Sequence, residues 1–203
     1  MSAPRPLDYL ALGDSYTIGE AVSAQERWPV ELARRLRQKD VIIDAPRIVA
    51  VTGWTTDELS AGMDAETLAP PYDLVTLQIG VNNQYRGRSA QAYRQPFSTL
   101  LKRAIHLSGD KPGRVVVVSI PDWGVTRFAR EQGRDAAKIA AELDHFNSIA
   151  REEAAHAGAR FVDITGISRQ HPELVTSDGL HPSAVQYALW VEAIESAALA
   201  ALR

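Results

Sequence analysis

The sequence predicts an α/β fold, an open and doubly wound parallel sheet with helices on its faces. Three observations carry that expectation. Five short, β-branched apolar runs recur along the chain, and their continuous apolar character suits strands covered on both faces. Between them lie segments whose apolar residues return every three or four positions, as on a helix packed by one side. No linker, internal repeat or low-complexity block divides the 203 residues, so residues 1–203 are read as a single domain with a substantial core.

The first strand is expected from Leu7 to Leu12, and it stops at Gly13-Asp14-Ser15. A helix follows, marked by Trp28, Leu32 and Leu36 at four-residue spacing. The second strand, Arg47 to Val51, runs into Thr52-Gly53-Trp54, and the third, Leu74 to Ile79, into Gly80-Val81-Asn82-Asn83. Tyr93, Phe97, Leu100 and Ala104 form the next apolar stripe. The fourth strand, Val115 to Ile120, ends in Pro121-Asp122-Trp123-Gly124, ahead of a stripe at Leu143, Phe146 and Ala150. The fifth, Arg160 to Ile164, precedes the segment SDGLHPS at 177–183 and a last helix with Trp190, Ile194, Ala197 and Ala201 inward. Capping boxes are expected at Ser23 with Glu26, Thr55 with Glu58, and Ser183 with Gln186.

Composition narrows the function classes. The net charge of -3 offers no basic excess to neutralise phosphates, so nucleic acid is not an expected partner. Without cysteine there are no disulfides, thiolate nucleophiles or Cys-based metal sites. No His/carboxylate cluster has ligand spacing, and neither metal nor cofactor is expected. No apolar run has the length of a membrane span, and the start of the chain lacks a signal segment, so membrane insertion is not expected and the expected location is cytoplasmic.

In open α/β sheets, ligands bind beyond the carboxyl ends of the strands. Those ends here collect a hydroxyl, a glycine amide, a carboxamide and an Asp/His pair. Singly, each has a plain reading. Ser15 would cap a helix, Gly53 would permit a turn, Asn82 would satisfy local backbone, and Asp178-Gly179 would be a turn beside a solvated His181. A phosphate loop fails, because Gly19 is followed by Glu20 rather than Lys. A non-catalytic binding module on a flavodoxin-like sheet stays open as a remote alternative.

Together the residues suit nucleophilic catalysis. A serine hydroxyl needs a base, histidine is one, and a carboxylate orients the ring. Asp178 precedes His181 by three residues, so one loop can deliver both. The N–H groups of Ser15 and Gly53 and the side-chain amide of Asn82 are donors suited to an oxyanion.

GDSYT with Ser15, VTGWTTDEL with Gly53, IGVNN with Asn82 and DGLHPS with Asp178 and His181 resemble, in order, the four blocks of the SGNH hydrolases, or GDSL esterase/lipase family. The resemblance implies a flavodoxin-like three-layer α/β/α sandwich on a five-stranded parallel sheet and a metal-free serine esterase working through an acyl-enzyme. By position it makes Ser15 the nucleophile, His181 the base and Asp178 its orienting group, with Ser15, Gly53 and Asn82 as the oxyanion hole. The expected partner is a small-molecule acyl ester. A lysophospholipid or short-chain ester is the leading substrate, with acetylated carbohydrate or thioester as alternatives. Asn83 stands where the family usually has Asp, and Tyr16 where it has Leu, the latter expected to matter little. Trp54, Tyr85 and Trp123 are candidates to line a pocket. His106, His145 and His156 fall in expected helices, and His171 lacks an Asp three residues before it.

Overall fold

The computed structural model describes residues 5–203. Five parallel strands form one sheet in the order β2-β1-β3-β4-β5: β1 (Tyr9–Gly13), β2 (Arg47–Ala50), β3 (Leu74–Gln78), β4 (Val115–Val118) and β5 (Arg160–Val162). The helices between them are α1 (Ser15–Ile18), α2 (Trp28–Arg37), α3 (Thr56–Ala65), α4 (Val81–Tyr85), α5 (Ala90–Leu107), α6 (Arg127–Glu131), α7 (Ala136–Ala157), α8 (Thr165–Gln170) and α9 (Ala184–Ala201). From β1 the chain first moves outward to β2, then returns past β1 to β3 and continues to β5. With right-handed crossovers, that reversal puts α2 on one face and α3, α5 and α7 on the other. The packing agrees: α2 lies on α9, while α5 lies between α3 and α7.

Leu10, Leu12, Leu74, Val75, Leu77 and Val115 to Val117 are completely buried, because helices cover the sheet on both sides. Each such side chain contributes about 1.5–3 kcal/mol relative to exposure. β2 to β5 end one or two residues before their apolar runs do, whereas β1 starts two residues later than its run and ends one residue beyond it. Ile79, Ile120 and Ile164 stay buried but leave the ladder, because each begins the turn that carries its loop to the sheet's rim. Leu7 joins the sheet only through an isolated bridge to Ile43.

Two capping boxes form as expected, at Ser23 with Glu26 and at Thr55 with Glu58. The first opens a 3-10 turn rather than α2, which starts at Trp28 with Pro29 in its first turn. The third forms only by half. The Ser183 hydroxyl accepts from the Gln186 N–H at 3.4 Å, but the Gln186 amide turns away to donate to the Leu174 carbonyl at 3.0 Å. Among the described residues no helix is long and apolar enough to cross a membrane.

Candidate active site

β1 and β3 are neighbours whose following segments diverge, and the crevice between them is where such a sheet binds ligands. Ser15 opens α1 directly beyond β1, nearly buried at 5% exposure. Asp14 caps that turn by accepting the Tyr16 N–H at 3.1 Å. Gly13 must be glycine because a Cβ there would lie 2.6 Å from the Gln78 carbonyl of β3. The apolar run therefore stops at Gly13 to let the turn bearing Ser15 close tightly on the neighbouring strand. As the first helical residue, Ser15 has an N–H without an intrahelical acceptor.

Gly53 follows β2 with φ of 88°, a left-handed conformation that costs glycine little. Its carbonyl is held by Arg86 Nη2 at 2.7 Å. Asn82 lies in α4 just past β3, where its Nδ2 donates to the Trp54 carbonyl at 2.9 Å. That bond uses one amide proton and fixes the direction of the other. Asn83 does a separate job: its Oδ1 accepts the Thr56 N–H at 3.1 Å and its Nδ2 donates to Thr56 Oγ1 at 2.8 Å. It ties α4 to the start of α3.

The segment from Leu174 to Ser183 folds as a small hairpin, closed by Ser183 N–H to the Leu174 carbonyl at 2.9 Å and Thr176 N–H to the His181 carbonyl at 2.8 Å. Asp178 sits inside it. Its Oδ1 accepts the Leu180 N–H (2.8 Å), the His181 N–H (3.0 Å) and the Thr176 hydroxyl (2.8 Å), leaving Oδ2 for His181 Nδ1 at 2.7 Å. Partial desolvation works to raise this carboxyl, but the hydrogen bonds from His181, Leu180 and Thr176 outweigh it and hold the group down to about 2. The ionised carboxylate accepts from Nδ1 and so orients the imidazole, which lines the pocket on its other side.

Ser15, Gly53, Asn82 and His181 line one pocket of about 210 Å³. Tyr16, Val81 and Leu180 form apolar wall beside them, and Tyr85, Trp123 and Phe128 an aromatic one. Asp178 stands behind His181, outside the lining. Among the described residues Ser15 Oγ makes no hydrogen bond, to His181 or otherwise, and no group of three or more His and acidic side chains could hold a metal ion. His171 is elsewhere, 3.6 Å from Glu173, and His106, His145 and His156 lie on helices α5 and α7.

The model of the GDSL-like lipase/acylhydrolase family matches residues 11–189, which takes in all four rim segments. The chain belongs to that family. GDSL-like membership makes it a carboxylic ester hydrolase. Among solved structures, it is similar to the lipase/acylhydrolase from Enterococcus faecalis, at 24% identity and TM-score 0.71 over 94% of each chain. It is similar also to a mutant of Axe2, an acetyl-xylooligosaccharide esterase from Geobacillus, at 17% identity and TM-score 0.72 over 95% of this chain and 94% of that one. AlinE4, an SGNH-hydrolase family esterase, aligns over 100% of both chains at 23% identity and TM-score 0.65. These likenesses show a common fold. Among curated proteins, no sequence matches the chain.

The site departs from the sequence reading at three residues. Trp54 does not line the pocket; its indole packs on Gly62, where a Cβ would lie 2.1 Å from it, and only its carbonyl serves the site. Tyr16 does more than expected: its buried ring meets His181 edge-on at 5.8 Å and Trp190 at 6.0 Å, so it braces the imidazole. Phe128 arrives from α6, whose start is tied to the Asp178 hairpin by its own N–H to the Gly179 carbonyl at 3.0 Å. Position beside Ser15 was a signal for Tyr16. Phe128 had none, because that contact depends on how two distant loops dock.

Proposed function

We propose that this chain is a serine esterase for small carboxylic esters, with Ser15 as nucleophile, His181 as general base and Asp178 orienting it. The observation that carries the reading is the 2.7 Å bond from His181 Nδ1 to Asp178 in a loop that brings the imidazole into one pocket with Ser15. In the reaction, Ser15 Oγ attacks the ester carbonyl and passes its proton to His181 Nε2. The N–H groups of Ser15 and Gly53 and the free amide proton of Asn82 take the negative charge that develops on the carbonyl oxygen. His181 returns the proton to the departing alkoxide, leaving an acyl group on Ser15. Water then attacks that acyl group, giving its proton to His181, and the acid leaves as Ser15 Oγ is reprotonated. The Oγ to Nε2 hydrogen bond, not made in the free site, is expected to form when substrate is bound.

Pocket size sets the substrate class. A volume of about 210 Å³ falls below the ~300–1,000 Å³ of drug-sized sites, and suits a short acyl group better than the long chain of a lysophospholipid. The Tyr85 and Trp123 wall, with rings 5.4 Å apart, favours acetylated carbohydrate as a second reading, since aromatic faces suit sugars. A series of p-nitrophenyl esters from acetyl to palmitoyl tests the size argument. kcat/KM is expected to peak at two to four carbons and to fall at least about tenfold by octanoyl. A maximum at palmitoyl would contradict it.

A further inference from the structure

We propose that Arg134 selects esters bearing an anionic oxygen group, a carboxylate or a phosphate, next to the aromatic wall of the pocket. This rests on the esterase reading and adds the chemistry of the rest of the substrate. Arg134 lies exposed in the turn between α6 and α7, its backbone N–H fixed to the Ala129 carbonyl at 2.9 Å. Its guanidinium sits over two rings of the pocket's aromatic wall, 5.2 Å from the centre of Tyr85 and 5.5 Å from that of Trp123. The Trp123 ring is itself held in place. Trp123 Nε1 donates to Gln84 at 2.8 Å, and Gln84 donates to Glu142 at 2.7 Å.

What separates Arg134 from its neighbours is the lack of an acceptor. Arg86 is spent on Glu58 and the Gly53 carbonyl, Arg88 on Asp57, Arg127 on the Ser177 carbonyl and Arg130 on the Val125 carbonyl. Among the described residues the Arg134 guanidinium makes no hydrogen bond or ion pair. Nearby carboxylates are already engaged: Glu131 lies 4.0 Å from Arg127, Asp135 caps α7 through the Lys138 N–H, and Glu142 holds Gln84. Glu20 accepts the Thr52 hydroxyl and does not itself line the pocket. A planar cation anchored on aromatic faces, with its N–H fork unspent, is suited to binding a carboxylate or phosphate. It does not itself line the pocket, but it stands over the two rings, Tyr85 and Trp123, that form the aromatic wall.

The test compares mono-p-nitrophenyl glutarate with p-nitrophenyl butyrate, which share a leaving group and differ at the acyl end by a carboxylate. The native enzyme should favour the glutarate in kcat/KM, Arg134→Gln should cut that ratio about fivefold, and Arg134→Glu should cut it further. Added salt should erode the preference in the native enzyme and not in Arg134→Gln. Competitive inhibition by inorganic phosphate, weakened in Arg134→Gln, would identify the phosphate arm; inhibition by glutarate alone would identify the carboxylate. A ratio unchanged in both Arg134 variants would overturn the proposal while leaving the esterase reading intact. If native enzyme cleaved neither ester, the esterase reading would fail instead. Binding of mono-p-nitrophenyl glutarate to Ser15→Ala, by calorimetry, then judges Arg134 without turnover: retention of full affinity in Ser15→Ala/Arg134→Gln would count against it.

Discussion

Asn82 and Asn83 sit side by side yet have different work. Asn82 points its amide into the pocket from a bond to the Trp54 carbonyl, and Asn83 is buried against Thr56. With Asn82 as the proposed oxyanion donor, whose bond strengthens only as charge develops, Asn82→Ala should lower kcat about a hundred- to a thousandfold with little change in KM. Steady-state kinetics check this; an effect confined to KM would move the donor elsewhere. Asp14 yields a second expectation. Burial pushes its carboxyl up to about 7, against backbone hydrogen bonds from Tyr16 and its own N–H. An unfolded aspartate ionises near ~3.9, so between there and about 7 the folded chain holds a proton that the unfolded chain has released. Stability from this group is therefore complete below about 4, declines as pH rises towards 7 and levels off above it. Asp14→Asn keeps an acceptor for the Tyr16 N–H and removes the ionisation. Urea denaturation at pH 5 and 8 should show the difference between the two pH values shrinking by about 2–3 kcal/mol, and an unchanged difference would contradict it.

Elements carry the same logic to the ends of helices. Asn83 joins α4 to α3 by pairing both Thr56 groups, so Asn83→Ala leaves a buried N–H and hydroxyl unpaired and should cost about 1–3 kcal/mol in urea denaturation. Asn83→Asp should stay within about 1 kcal/mol of the native chain, since the Thr56 hydroxyl can turn to donate and an anion suits the start of α3. In α9, the Tyr187 hydroxyl is buried with no partner among the described residues. Tyr187→Phe should be neutral or stabilise by up to about 1 kcal/mol, and a larger loss would reveal a partner for that hydroxyl. The long elements were legible in the sequence because their apolar stripes repeat: Trp28, Leu32 and Leu36 all face inward in α2, as do Tyr93, Phe97, Leu100 and Ala104 in α5. The short helices α1, α4, α6 and α8 were not, since four to six residues hold too little periodicity to read and are set by packing. Gln186 shows a local motif losing to tertiary contact: the Leu174 and His171 carbonyls of the preceding loop take the amide that a capping box would use.

Across the whole molecule, the sheet's reversal at β1 brings residues distant in sequence to one rim. Ser15, Gly53, Asn82 and His181 were legible as a set because each follows a strand or precedes the last helix, and an open α/β sheet assembles those positions. The pocket's far wall was not. Phe128 and Arg134 come from the α6 region, whose docking on the Asp178 hairpin and on Trp123 depends on surface fit rather than on period or motif. Core and site are separable in this architecture. Leu101→Ala, in the buried face of α5, should cost about 2–5 kcal/mol by denaturation and leave kcat/KM of the folded enzyme unchanged. A parallel loss of kcat/KM would mean that α5 supports the rim. The central claim, that Ser15 is a nucleophile activated by His181, is met most directly by mass spectrometry after treatment with a fluorophosphonate. One adduct per chain on Ser15 is predicted, with labelling abolished in Ser15→Ala and strongly slowed in His181→Ala. An adduct on another residue such as Ser23 or Ser183, or labelling that persists in Ser15→Ala, would contradict the account.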